Sequence, residues 1–253
     1  MRKILTFFLS AVLFVSLISV SYAEEEFHFY IKRGKDHVPP ATDARFLEAF
    51  DEDSFYLDTK AADTGEKKLY LTFDAGYENG NVSKILDVLK EENVPAAFFV
   101  LSHLIKSAPE LVLRMSNEGH LVCNHTARHK NMAQMGEDAF CAELESLETL
   151  YTQSTGKQLA RFYRPPEGTF SLKNLANAKK MGYKTVFWSL AYKDWNDDIA
   201  TDKEKALSIL KENTHPGAIV LLHPTTAQNT EILREMIAYW RAEGYTICSL
   251  ESI

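Results

Sequence analysis

Lys68-Leu69-Tyr70-Leu71-Thr72-Phe73-Asp74 is a short β-rich run that ends on a carboxylate. The residues after it decide the fold. Val82, Ile85, Leu86 and Leu89 recur at helical spacing, and Ala96 to Leu101, after Pro95, is a second run of the buried-strand type. Strand, helix and strand in that order form a unit whose strands pair in parallel, because the crossover must travel back along the sheet.

The alternation continues toward the C-terminus. Ser107-Ala108-Pro109-Glu110 opens a helix that Gly119 stops, and His120 to Cys123 is a third strand. Phe140, Leu144, Leu147 and Tyr151 share one helical stripe closed by Gly156. Phe162-Tyr163 makes a fourth strand, and Ser171 caps a helix that ends near Gly182. Thr185 to Leu190, Ala218 to Leu222 and Thr246 to Leu250 complete the set, with helices near residues 201–213 and 231–243 between them. About seven parallel strands alternating with helices give an α/β class and favour a closed (β/α) barrel. No glycine-rich phosphate loop follows the first strand, which weighs against a nucleotide-binding doubly wound sheet.

Composition narrows the class further. The chain has 253 residues, 45% of them apolar, with 28 Lys+Arg against 35 Asp+Glu and a net charge of −7. An acidic balance excludes a nucleic-acid partner, since phosphate binding needs a basic face. Three cysteines cannot build a disulfide framework, so the core is hydrophobic. At the N-terminus Arg2 and Lys3 precede an apolar run from Ile4 to Val20, followed by Ser21-Tyr22-Ala23. This pattern reads as a secretory signal at 1–23, cleaved after Ala23; a retained membrane anchor is the alternative. Cleavage leaves 230 residues of net charge −9, an exported protein with no stable membrane anchor. Residues 24–66 read as a lead-in segment packed on the barrel, and 67–253 as the main domain.

Ionisable residues collect after the strands. Asp74 follows the first, His125 and His129 the third, Arg164 the fourth, Asp194-Trp195 the fifth and His223 the sixth. Barrel enzymes assemble their sites from such carboxyl-end positions. Singly, an Asp after a strand is a turn residue and a His is surface or core; together they describe a cleft. If their segment is helical, His125 and His129 present two imidazoles to one side, which suits a divalent cation whose identity imidazoles alone do not reveal. Asp74 then serves as general base on a water and His223 as acid toward the leaving group, with Arg164 and Asp194 setting their orientation and charge. Trp195 offers an apolar wall. The set describes metal-assisted hydrolysis of an amide or ester. No Ser or Cys stands in a nucleophile-elbow context, and glycoside cleavage by Asp74 with Glu78 or Glu167 is the weaker alternative.

Leu71-Thr72-Phe73-Asp74-Ala75-Gly76, His125-Thr126-Ala127-Arg128-His129, Arg164-Pro165-Pro166, Asp194-Trp195 and Leu221-Leu222-His223 resemble, in order, the five motifs of the polysaccharide deacetylases, the NodB-homology group of carbohydrate esterase family 4. Phe27-His28-Phe29, Tyr77-Glu78-Asn79-Gly80 and Phe187-Trp188-Ser189-Leu190-Ala191 are similar to the delta-lactam-biosynthetic de-N-acetylases of spore cortex. The resemblance implies a deformed (β/α) barrel that removes the N-acetyl group of muramic acid in a peptidoglycan strand, acting outside the membrane as a monomer. It implies Asp74 as base, His223 as acid, His125 and His129 as metal ligands and Arg164 as the partner of Asp74. Thr126, Pro166 and Trp195 are read as substrate contacts. Two departures stand out. Ala75 replaces the family's third metal ligand, leaving a weak two-His site. Glu167 stands where the subgroup is basic, with Arg128, Arg161 or Lys193 as candidate substitutes for that cation. The alternatives are a deacetylase of N-acetylglucosamine polymers and a catalytically weak barrel that binds wall glycan. Cys123 shares a strand face with His125 and reads as a buried thiol, with a thiolate ligand as the alternative. Cys141 and Cys248 have no local sign of pairing, and His103, His120 and His215 read as structural or exposed.

Overall fold

A computed structural model describes residues 25–34, 36–195 and 201–253. The signal sequence read at 1–23 lies outside the described residues, as do residues 196–200 after Trp195. Among the described residues no helix is long and apolar enough to cross a membrane.

In chain order the strands are β1 (Phe27–His28), β2 (Ser54–Phe55), β3 (Lys68–Ala75), β4 (Ala97–Val100), β5 (Leu121–Asn124), β6 (Phe162–Tyr163), β7 (Thr169–Phe170), β8 (Lys184–Val186), β9 (Leu190–Ala191), β10 (Ala218–Leu222) and β11 (Thr246–Cys248). The helices are α1 (Ala44–Ala49), α2 (Thr59–Thr64), α3 (Asn81–Glu91), α4 (Ser102–Ser107), α5 (Pro109–Asn117), α6 (Glu137–Thr155), α7 (Leu172–Lys180), α8 (Lys203–Asn213) and α9 (Gln228–Ala242).

Strand β3 organises the rest, and its pleat sorts its residues with a period of two. Leu69, Leu71, Phe73 and Ala75 enter the core shared with the helices, among them Leu86, Ile105, Met236 and Trp240. Tyr70 turns the other way, into a cluster with Phe99, Cys123 and Ile219 on the inner face. Thr72 and Asp74 continue that inner face, so an apolar floor gives way to polar side chains toward the strand's carboxyl end. The main sheet runs β2-β8-β6-β5-β4-β3-β10-β9, with β11 on the first half of β3 and β4 on its second half. Its named strands pair in parallel and curl into a half-barrel surrounded by helices.

The strand expected at Thr185–Leu190 is broken in two. Strand β8 pairs with β6, whereas β9 crosses to the far side of the curl and pairs with β10. Ser189 sits in the break; its backbone N–H donates to Ile219 O and its Oγ meets His215 Nε2 at 2.9 Å. The expected final strand stops at Cys248, and residues 250–252 form a single helical turn instead.

The lead-in segment is part of the fold and not merely laid on it. Strand β2 extends the main sheet at its edge beside β8, and β1 pairs antiparallel with β7. Between them lies an aromatic cluster of Phe27, Phe29, Phe46, Phe170 and Phe187. Asp43 caps α1 by accepting from Arg45 N, which places Phe46 edge-on to Phe27 and Phe170 with centroids 6.1 and 5.7 Å away. Gly217, with φ of +76°, lets the lead-in reach the barrel, because a Cβ there would meet Asp58 O at 2.3 Å. Truncating a buried Phe to Ala costs roughly 3–5 kcal/mol. Phe46→Ala should therefore lower the urea midpoint of the whole domain in one cooperative transition; a separate early transition would show that the lead-in unfolds alone.

Candidate active site

The polar inner face centres on a buried ion pair. Arg164, directly after β6, is fully sealed from solvent. Its Nη1 donates to Asp74 Oδ1 at 2.8 Å and to Thr72 Oγ1 at 3.0 Å. Its Nε donates to Val186 O and its Nη2 to Phe187 O, carbonyls at the break between β8 and β9. The guanidinium also lies 4.1 Å from the Phe99 ring centroid. Burial raises the Asp74 pKa, but the charges of Arg164, His125 and His223 outweigh it and hold the carboxyl below its ordinary value.

His125, buried at the end of β5, faces the other carboxylate oxygen. Its Nδ1 lies 2.9 Å from Arg164 O, and because a carbonyl only accepts, Nδ1 carries the proton. Nε2 is then an acceptor, 3.5 Å from the acceptor Asp74 Oδ2. Burial pushes His125 down to about 4, so the ring is neutral at pH 7. Two lone pairs facing each other are a place for a cation. The His129 ring stands 5.0 Å from the His125 ring at 72°.

A helical segment would have turned these two histidines to one side, but the structure brings their rings together differently. The segment is a loop in which Thr126 (φ +72°) and His129 (φ +55°) are both left-handed. Such angles are strained for a β-branched residue and cost on the order of 1–3 kcal/mol. Asn124 Oδ1 accepts from Thr126 N at 2.9 Å, Thr126 Oγ1 accepts from His129 N at 3.0 Å, and these bonds hold the loop folded back. Among the described residues no group of three or more His, Cys, Asp or Glu side chains is arranged to hold a metal ion. Ala75 lies in the helix-facing core, on the opposite side of β3 from Asp74. His125 and His129 are the residues that would hold a cation, beside an Asp74 carboxylate whose Oδ1 is committed to Arg164 and whose Oδ2 faces His125.

A second charged pair flanks the first. His223 follows β10, and its Nδ1 lies 2.8 Å from Asp194 Oδ1. Asp194 Oδ2 accepts from His223 N at 2.8 Å and from Asn229 Nδ2 at 2.7 Å, and Tyr192 Oη donates to Asn229 Oδ1 at 2.6 Å. The hydrogen bond fixes the proton on Nδ1 and leaves Nε2 toward the cleft. Burial lowers the His223 pKa, but the bond and charge of Asp194, with Asp74 beyond, outweigh it and raise it above its ordinary value.

Asp74, His125, His129, Arg164, Asp194 and His223 thus converge, while the expected substrate contacts divide. Trp195 is half exposed, 6.1 Å from His223 between ring centroids. Thr126 is fully buried and braces the loop, and Pro166 is buried in a single helical turn. Glu167 is exposed, with φ of 57°. Arg161 pairs with Glu148 at the amino end of β6, away from Asp74, and Arg128 pairs with Glu143. Cys123 is buried in the floor, where burial pushes its thiol up, and all three cysteines are free. Thr72, Asn124 and Asn229 went unread. Thr72 and Asp74, polar at a spacing of two within an apolar run, carried a signal; Asn229, on the first turn of α9, carried none.

A sequence profile for polysaccharide deacetylases matches residues 61–186. The peptidoglycan-N-acetylmuramic acid deacetylase PdaA of Bacillus subtilis is 39% identical over 230 residues, 90% of this chain and 86% of that protein. The chain belongs to the polysaccharide deacetylase family. The solved structure of B. subtilis PdaA, a family 4 carbohydrate esterase, superposes with a TM-score of 0.85 over 90% of this chain and 96% of that one. A peptidoglycan-N-acetylglucosamine deacetylase of Bacillus cereus is 30% identical over 72% of this chain and 66% of its own length.

The pKa of His223 gives a direct test of the pairing within this polysaccharide deacetylase site. A raised value means that the protonated ring stabilises the fold fully below its ordinary pKa of 6.5, and that this contribution is lost as pH rises through the raised value. In Asp194→Asn the hydrogen bond and charge that oppose burial are lost and only Asp74 still raises the ring, so the titration should move down from its wild-type position, read by histidine NMR. An unmoved titration would show that Asp194 does not set it.

Proposed function

We propose that this chain is an exported peptidoglycan de-N-acetylase that removes the N-acetyl group of N-acetylmuramic acid residues by metal-assisted hydrolysis. The observation that carries the reading is the meeting of the Asp74–Arg164 and Asp194–His223 pairs beside two imidazoles, in a chain 39% identical to a muramic acid deacetylase. A divalent cation held by His125 and His129 would polarise the acetyl carbonyl and acidify a water when bound.

The chain's own residues supply the rest. Asp74 Oδ1 is held by Arg164, which leaves Oδ2 to receive the proton of the attacking water. The water oxygen bonds to the carbonyl carbon and the C–N bond breaks, its electron pair staying with nitrogen. His223, whose protonated form Asp194 favours, delivers a proton from Nε2 to the departing amine. The products are acetate and a free amine on the sugar. On muramic acid that amine can close onto the lactyl group, which makes this the first step of lactam formation in spore cortex; that extension is supported by the subgroup resemblance alone. Trp195 stands beside His223 as a wall for the sugar ring.

A second reading, deacetylation of N-acetylglucosamine polymers, is favoured by exposed Glu167, an acid that disfavours an anionic sugar. The test is acetyl loss by mass spectrometry from muropeptides, glycan strands and chitooligosaccharides, with and without chelator. Loss from muramic acid that chelator suppresses is expected; loss only from N-acetylglucosamine selects the second reading. Glycan binding without acetyl loss would make the chain a binding barrel. Asp74→Asn should cut turnover by about 10²–10⁴-fold, the range of general-base catalysis. Wild-type rates in that variant would remove Asp74 from the role.

A further inference from the structure

A groove of about 570 Å³ opens beside the His125–His129 loop, lined by Ser102, His103, Lys106 and Ser107 of α4 and by Ala127 and Arg128. It lies on the same rim as the catalytic cleft, because α4 follows β4 and the loop follows β5. Ser102 N donates to Ala127 O at 3.3 Å, so the groove wall and the histidine loop are one unit. In a chain of net charge −7 this groove carries a local positive charge: Lys106, the guanidinium of Arg128 paired with buried Glu143 behind it, a histidine and two hydroxyls line it.

The two cations differ in a useful way. Arg128 donates through Nε at 2.6 Å, and pairs through Nη2, with a single oxygen of buried Glu143. The guanidinium is therefore fixed at the rim while its side chain stays 65% exposed, and among the described residues Nη1 has no hydrogen-bond partner. Lys106 is exposed and, among the described residues, makes no ion pair. A fixed guanidinium beside a free ammonium is an arrangement that recognises a carboxylate.

We propose that this groove is a subsite for a carboxylate carried by the glycan strand, held between Lys106 and Arg128 while the acetyl group lies at Asp74. The inference rests on the deacetylase reading. It gives the acidic protein a local contact with an acidic polymer, and places selection for muramic acid on the rim away from Glu167. The carboxylate can be the free lactyl group of a peptide-free strand or the terminal carboxylate of a stem peptide.

The experiment compares wild type, Lys106→Glu and Lys106→Arg on peptide-free glycan strands, peptide-bearing strands and chitooligosaccharides, which carry no carboxylate. Lys106→Glu should raise KM about tenfold on carboxylated strands with kcat unchanged, the scale of one charge-assisted hydrogen bond. It should leave chitooligosaccharides unaffected, and Lys106→Arg should behave as wild type. A KM effect confined to peptide-free strands assigns the lactyl carboxylate, and one confined to peptide-bearing strands assigns the stem peptide. An equal shift on all three substrates, or on none, overturns the subsite. Calorimetric binding of the same strands separates the two proposals. If wild type releases no acetate, charge-dependent binding keeps the subsite and overturns the catalytic reading.

Discussion

The structure turns on one buried cation. Arg164 has no contact with water, and its planar fork is satisfied by a carboxylate, a hydroxyl and two carbonyls. Such a group is costly to desolvate and is tolerated only when its donors are met. Its partners come from β3, from the end of β8 and from the break that leads to β9, so the same side chain spans the opening of the half-barrel. One of these carbonyls ends β8 and the other lies in the break, and Arg164 satisfies both. Removing it would strand Asp74 as an unpaired buried charge and leave the break unsatisfied. Fold and chemistry therefore depend on the same contact.

That contact also separates the two carboxylates by function. Asp74 and Asp194 are each nearly sealed from solvent and each face a nitrogen base. Asp74 has a permanent cation on one oxygen, which keeps it charged and leaves the other oxygen free for a proton. Both oxygens of Asp194 are committed, to His223 and Asn229, so it acts by holding a proton on its neighbour. Two similar groups driven to opposite tasks by their surroundings are what an acid–base pair requires.

Long elements were legible in the sequence and, apart from the two-residue β6, the shortest ones were not. Strands β3, β4 and β10 carry continuous apolar runs, and the helices behind them repeat at helical spacing, so their order and parallel pairing could be read. Strands β1, β2, β7 and β9 span two residues each, too few for any period to appear. The break at Ser189 was invisible for the same reason, since Phe187-Trp188 continues the β-type composition across it. In the site, residue types were readable and geometry was not. The histidines meet through left-handed backbone at Thr126 and His129, where the usual markers, Gly or Asn, are absent. Asn229 is an ordinary helix residue until the fold brings it under Asp194.

Charge is where the local structure most alters the sequence reading. A net charge of −7 predicts that an anionic wall polymer repels this protein. Exposed charges are screened beyond about 8–10 Å at moderate salt, so a glycan seated in the cleft responds to its near neighbours and not to the total. Those neighbours are cationic on the α4 side, through Lys106 and Arg128, and acidic at Glu167. The field across the cleft is therefore graded and not uniform. On the proposed subsite, an acidic sugar gains by turning its carboxylate toward Lys106 and away from Glu167. Selection by orientation needs only this local asymmetry, and it survives whatever sign the rest of the surface carries.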